Sequence, residues 1–409
     1  MNRISLSAVL ASARLQPSAR PDFFRVHLEP LEERQLLTSS PVYVNDDWVN
    51  LSNPGFAPVF GDLVINSNDT INTGNITVLY GIDGFGATVD GTGAGYGLIH
   101  DAIQGTDVGG TLNLLEGTYV ESDIVIDRRL LFNGAGQAGA ARTLIVPEAT
   151  SGRGEANFAV GSHQGIIVYS NSVTIQNLAL DGSGNGSLGG SMHYHHGITT
   201  MYDLQNGGNY SSLHNGALAP NNFGTSGSTA AIRVQDLEVS NTWYHGITVS
   251  GTASNTIRTV MIDNVDVTNV GEVGQRDVTR IGIQLQNLDT GTVLNSTVTN
   301  TGVGIASGIL GTGTFGSNTN ARNKTGLRLN TVTDAVARAY SVEFQDTQID
   351  LNFVLDPSSY FIGFDANFAT FTGSNNATGL YLNYAEPIVA GFAVSGAHIG
   401  IHVQNTTYT

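Results

Sequence analysis

Apolar and polar residues alternate in short runs along most of this chain, and the runs recur around a single step, Gly followed by Ile or Leu. The step stands at Gly197-Ile198, Gly246-Ile247, Gly282-Ile283, Gly304-Ile305, Gly326-Leu327, Gly379-Leu380 and Gly400-Ile401. From Gly282 onward the intervals are 22, 22, 53 and 21, and the long one leaves room for a hidden step near Ile349-Asp350-Leu351. A period near 22 with two-residue alternation is the pattern of a solenoid in which each turn is one coil of parallel strands. Earlier intervals of 49 and 36 read as one coil plus inserted loop. The inserts are Gly-, Asn- and Ser-rich and span about 183–192 and 203–229.

One stretch departs from alternation. In Tyr96 to Gln104, YGLIHDAIQ, the residues Leu98, Ile99, Ala102 and Ile103 fall on one helical face. A short amphipathic helix there is placed to cover the open end of the stack, where unpaired strands invite aggregation. Before it, Val42-Tyr43-Val44, Leu63-Val64-Ile65 and Ile76-Thr77-Val78-Leu79 read as short strands. The expected organisation is therefore three parts: a segment 1–40, a β-rich segment 41–95 and the solenoid 96–409. The last step lies a few residues from Thr409 with no cap after it, so further domains are expected beyond the C-terminus.

Composition supports strands and tight turns: 51 glycines in 409 residues and only 12% charged residues. The net charge is −17, with Lys324 the one lysine, so the clustered cations that nucleic acid requires are missing. Without cysteine there is neither a disulfide framework nor thiolate chemistry. No run of 18 apolar residues exists, which excludes a helical membrane span. Carboxylates are plentiful enough to recruit calcium, although no other cofactor and no protein metal site is expected.

Two resemblances add to this. The words RVHLEPLEERQLLTS, Arg25 to Ser39, resemble the LEPR-XLL export or sorting signature of large planctomycete extracellular proteins. Leu31, Glu32, Arg34, Leu36 and Leu37 match it, and Glu33 stands where that signature has Pro. This resemblance implies an extracellular or cell-surface location. The order GGTLNLLEGTYVES then IVIDRRLLFNGAG, Gly109 to Gly136, resembles the opening coil of right-handed parallel β-helix proteins of the pectin-lyase-like superfamily. That resemblance implies an all-β fold and leaves the reaction open, since the superfamily holds lyases, hydrolases, epimerases, tailspikes and surface proteins.

Alternation sorts the candidate residues. Counted from each Gly, positions −1, +1 and +3 should share the core face, which sends His196 and His245 inward. Position −2 should face solvent and reads His195, Tyr244 and Arg280 on successive early coils. At a coil spacing of about 4.8 Å, these three line a groove of about two sugar units. The outward +2 column adds Thr199, Thr248 and Gln284 as hydroxyl partners, with Tyr202 and Trp243 nearby for stacking. The expected function is a carbohydrate-binding or interaction module contacting a polysaccharide or envelope glycan. An alternative is a polysaccharide lyase acting on a uronate, with Arg280 acting on the proton alpha to the carboxylate and Tyr244 or His195 as acid. A structural spacer is the third reading.

Other motifs carry less. Asp181, Asp203, Asp263 and Asp266 do not form the outward pair that inverting hydrolysis needs. Asp181-Gly-Ser-Gly-Asn185 begins like a calcium loop, yet its twelfth position is Met192. Zinc at His193, His195 and His196 fails if alternation holds, because it sends the last two to opposite faces.

Overall fold

The computed structural model describes residues 41–66, 76–86, 98–139, 141–147, 162–170, 172–183, 193–200, 231–251, 257–271, 280–309 and 312–321, then further strand segments up to residue 404. Residues 1–40, with the export-like words, lie outside them, as do Tyr202, Asp203 and most of both inserts.

Two parallel sheets carry the fold. The first has ten strands, one per coil, running from Ile124–Ile126 through Ser162–Val168, His193–Thr200, His245–Ser250, Ile281–Gln286, Val303–Gly308, Thr325–Leu329, Gln348–Asn352 and Thr378–Asn383 to Ile399–Gln404. Every Gly-Ile step falls in this sheet, and Gln348–Asn352 is the hidden step. Its ladder aligns Ile124, Ile166, Ile198, Ile247, Ile283, Ile305 and Leu327 in one column. Those of the column up to Ile305 are fully buried in the main core. Each contributes about 1.5–3 kcal/mol by leaving water.

The second sheet has nineteen strands and takes the rest of each coil. Its long members Val173–Asp181, Ala231–Ser240 and Ile257–Thr268 pair in register but skip one residue each, at Asn177, Asp236 and Asn264. These residues have positive φ, as does Asn295 further along, so the sheet bends along one line of left-handed residues. Asn and Asp tolerate that conformation better than other side chains because they bond locally.

A second left-handed line leads out of this sheet toward the Gly-Ile strands. It consists of Asn241, Asn269 and Asn300, at φ of 55°, 56° and 56°. Their amides form a ladder headed by Asp181: Asn241 donates to Asp181 (2.8 Å), Asn269 to Asn241 (3.1 Å) and Asn300 to Asn269 (3.1 Å). Asp181 also accepts from the Ser183 backbone N–H at 2.9 Å, so its carboxylate closes a turn and starts the ladder.

The N-terminal segment joins the stack. Val42–Asn45 pairs in parallel with Gly84–Gly86 and Gly110–Leu114, while Val49–Asn50, Leu63–Ile65 and Thr77–Leu79 form a small antiparallel sheet. The helix Leu98–Gly105 buries Ile99, Ala102 and Ile103 and packs on Val42–Asn45, Gly84–Gly86 and the edge strand Ile124–Ile126. Glu121, buried, accepts the N–H groups of Ile99 (2.9 Å) and His100 (3.1 Å) at its start. Arg128 donates to the carbonyls of Gln104 and Thr106 at its end. Opposite charges at the two ends complement the helix dipole.

The Asn ladder makes a graded test. Asn269→Gly keeps the left-handed backbone and loses two amide bonds, at about 1 kcal/mol each. Asn269→Ala loses them and adds about 1–2 kcal/mol of backbone strain. Urea unfolding should rank wild type above Gly above Ala; equal midpoints for the two variants would show that the conformation does not matter.

Candidate functional site

The Asn ladder delivers the chain directly into the site. After Asn241 come Thr242, Trp243 and Tyr244, then His245 opens its strand. The Trp243 and Tyr244 N–H groups donate to the carbonyls of Tyr194 and His195, both at 2.8 Å, which stacks Tyr244 on His195. One coil further, the Ile281 N–H reaches the Tyr244 carbonyl at 3.4 Å and brings Arg280 over the same column. His195, Trp243, Tyr244 and Arg280 are all half-buried. The structure therefore brings His195, Tyr244 and Arg280 of the −2 column together.

The histidines depart from expectation. Alternation separates His195 from His196, but the ladder pairs Ser162 with His193, His163 with Tyr194, and then Gln164 with His196. His195 is thus the extra residue of a β-bulge, and a bulge re-aims side chains. Its ring meets the His196 ring edge-on at 4.6 Å, with the two Nδ1 atoms 3.1 Å apart. Tyr244 stacks on His195 at 5.0 Å and 12°, and lies 4.2 Å from the His245 ring. His196 and His245 sit 5.1 Å apart. The geometric objection to zinc drawn from alternation falls with this, although among the described residues no group of three His, Cys, Asp or Glu is placed to hold a metal ion.

Alternation breaks a second time at the glycines. A Cβ on Gly197, Gly246 or Gly282 would lie 2.3–2.5 Å from Cγ1 of Val239, Val267 or Val298, all core residues of the opposite sheet. Both the Gly and the Ile after it therefore face the core, and position −1 is turned away from it. Ile281 and Val303, which continue the His196–His245 column, accordingly form a small cluster with Ala306 from the +2 column, apart from the main core. The two histidines are buried, at 5% and 7% exposure, but they are not core residues as the sequence suggested.

Burial sets their charge. The His196 imidazole is held well below its ordinary titration range by desolvation, reinforced by His245 and His195. His245 is lowered to about 3 by desolvation; a hydrogen bond at the Tyr244 backbone opposes this, and His195 and Arg280 add to it. His245 Nδ1 accepts the Ile281 N–H at 3.3 Å, as a neutral ring can. Near neutral pH the His196 and His245 rings are therefore uncharged, beside one fixed cation.

That cation is Arg280. Its guanidinium lies 5.0 Å from the Trp243 ring centroid and 4.9 Å from that of Tyr244, and its stem packs on Gly271, where a Cβ would come within 3.0 Å. Among the described residues it makes no ion pair. The +2 column differs from the expected open wall: Thr199 and Thr248 have no exposed surface, and only Gln284 is half-exposed. The Thr199 hydroxyl donates to the Thr200 carbonyl at 3.2 Å, and that of Thr248 has no partner among the described residues. Gln164, which the sequence reading did not single out, is central to the cluster. Its polar side chain at a −1 position two coils before His245 was the available signal.

Asp263 accepts from Asn295 at 2.9 Å and Asp266 is exposed one turn away, so each serves the coil surface and not this cluster.

The ladders define the class: the chain is a parallel β-helix, with the right-handed winding that parallel crossovers follow. No protein-family model and no curated protein matches the sequence. Among solved structures it is similar to ORF18 of Geobacillus virus E2, at 12% identity and a TM-score of 0.38 over 76% of this chain. It spans 58% of that viral protein. It is also similar to the family 28 exopolygalacturonase of Yersinia enterocolitica, at 12% identity and a TM-score of 0.36 over 87% of this chain and 84% of that one. Likenesses this distant carry nothing about activity.

The neutral histidines give a pH prediction. Unfolded imidazoles titrate near their ordinary 6.5, whereas the folded ones resist protonation, so below that pH the unfolded state binds more protons. Stability is then full above pH 6.5 and falls toward pH 3, by about 1.4 kcal/mol per pH unit for each histidine. Urea midpoints at about pH 7.5 and about pH 5 should differ, and His245→Phe should reduce the difference. Equal midpoints in the wild type would show that the folded rings protonate freely.

Proposed function

We propose that this β-helix is a secreted or cell-surface protein that binds an acidic glycan over His195, Trp243, Tyr244 and Arg280. The observation that carries the reading is Arg280: in a chain of net charge −17, a guanidinium that lies over two aromatic rings and makes no ion pair among the described residues. A guanidinium recognises a carboxylate through two parallel bonds, which suits a uronate ligand. Trp243, half-buried beside it, is of the residue type whose ring stacks on the C–H surfaces of sugars. Successive residues of the column stand on successive coils, about 4.8 Å apart, a repeat that suits an extended chain more than a compact ligand. Export is supported by the words at Leu31 to Leu37.

A lyase reading keeps one supporting observation, the neutral imidazoles and the Tyr244 phenol beside a cation. The roles shift from those the sequence suggested. A guanidinium lying on two π faces is favoured as a cation, so Arg280 suits the grip on the carboxylate and a histidine the proton abstraction.

Calorimetry with oligogalacturonate, oligoalginate and a neutral cello-oligosaccharide, each with and without a chelator, tests both readings and calcium dependence. Binding should be confined to the uronates and weakened at least about tenfold by Arg280→Gln or Trp243→Ala. Arg280→Lys keeps the charge without the planar fork and should fall between. Equal binding of the neutral oligomer, or full affinity in Arg280→Gln, would overturn the proposal. Release of unsaturated uronate products would select the lyase.

A further inference from the structure

The small antiparallel sheet at the N-terminal end is apolar on both faces. Its ladder pairs Val49 with Ile65 and Asn50 with Val64, the Leu51 N–H donates to the Leu63 carbonyl at 2.8 Å, and Leu63 pairs with Leu79. Directly opposed residues share a face, so Leu51, Leu63 and Leu79 form one row across the sheet. The inner face buries Val64 with Trp48 and Leu115, and Val78 packs on that cluster. The leucine row is on the other face and is exposed in all three strands. An antiparallel sheet wetted on one side ordinarily turns polar residues to water. Here it turns leucines.

The loop leading into Leu63–Ile65 enlarges this surface. Phe56, Val59 and Phe60 are exposed at 68%, 63% and 74%, and Ile82 at 41%. Phe60 lies against Gly81, where a Cβ would come within 2.5 Å of its ring, so the loop meets the turn that follows Leu79. Hydrogen bonds fix the loop in place. The Asp62 carboxylate accepts the Val59 N–H at 2.9 Å and the Asn50 side chain at 2.6 Å, and the Gly61 N–H donates to the Tyr80 carbonyl at 2.8 Å. The seven side chains present on the order of 600 Å² of apolar surface, the upper end for a monomer's largest patch and close to the about 800 Å² per partner of a stable interface.

Charge selects the occupant. From Pro41 to Asp127 the sequence holds twelve Asp and Glu and no Lys or Arg. A second copy would bring the same carboxylates against these, and an anionic lipid surface or a uronate chain would be repelled likewise. We propose that this face docks a polypeptide segment of another protein that is apolar on one side and carries Lys or Arg along its edges. Its apolar side chains sit on Phe56, Phe60 and the leucine row, and its cations face the surrounding carboxylates. The surface shares no residue with the His195, Tyr244 and Arg280 column, so the proposal stands independently of glycan binding.

Fluorescence anisotropy of short labelled peptides against the full chain tests it, with alternating Leu and Arg, alternating Ser and Arg, and alternating Leu and Glu as probes. The Leu-Arg peptide should bind at least about tenfold more tightly than either of the others. The double variant Phe56→Ser, Phe60→Ser should lose that advantage while keeping the wild-type urea midpoint, since both side chains already stand mostly in water. Should the double variant not fold, Leu79→Ser reads the same face. No binding of the Leu-Arg peptide, equal binding of the Ser-Arg peptide, or full affinity in the variants would overturn the proposal. So would a dimer in analytical ultracentrifugation, or flotation with phosphatidylglycerol vesicles, that Phe60→Ser abolishes: the first would give the face to a second copy and the other to lipid.

Discussion

The whole molecule depends on coils stacking in register at one strand spacing, and the Gly of each step is where that register is tightest. Gly197, Gly246 and Gly282 have no room for a side chain: a Cβ would enter both a core valine of the opposite sheet and the carbonyl of the next coil's glycine, within 2.6–2.7 Å. A larger residue would force the two sheets apart or break the ladder, and overpacking of that kind costs about 1–3 kcal/mol. Because these glycines stack on one another, residues at fixed offsets from them form straight columns. The apolar spine from Ile124 to Leu327 is one such column and the His195, Tyr244, Arg280 column is another.

Left-handed residues do for the corners what glycine does for the strands. Asn241, Asn269 and Asn300 turn the chain at the same place in successive coils, and their amides bond to one another so that polar side chains at a half-buried corner remain satisfied. The turn after Asn241 projects Trp243 and Tyr244 beside the Gly-Ile sheet, and the turn after Asn269 includes Gly271, which makes space for the Arg280 stem. Structural and candidate functional residues are therefore consecutive in sequence, and the site inherits the rigidity of the ladder. A preorganised set of flat groups loses little conformational freedom on meeting a ligand.

Electrostatically the site inverts the rest of the protein. A chain of net charge −17 presents there an arginine with no carboxylate partner among the described residues, over imidazoles kept neutral by burial. Neutral histidines add no competing charge and keep lone pairs for hydrogen bonding. Arg280 in turn disfavours a second positive charge on His245, so the pair divides into one permanent cation and one uncharged ring.

The sequence by itself determined the period, the parallel solenoid, the hidden step at Gln348–Asn352, the helix with its buried face and the assembly of His195, Tyr244 and Arg280 on neighbouring coils. All of these follow from local periodicity, since apolar spacing and Gly position recur in every coil whatever surrounds them. Only the tertiary structure decided where the side chains of HHG point. The two-residue rule holds while a strand is regular, and here it fails twice within three residues, at the His195 bulge and at Gly197. Each failure is imposed by a neighbour: the ladder with the previous coil passes from Tyr194 to His196, and core Val239 occupies the space a side chain at Gly197 would need. The burial of Thr199 and Thr248 was likewise beyond reach, because it depends on what packs across coils 30 or more residues apart.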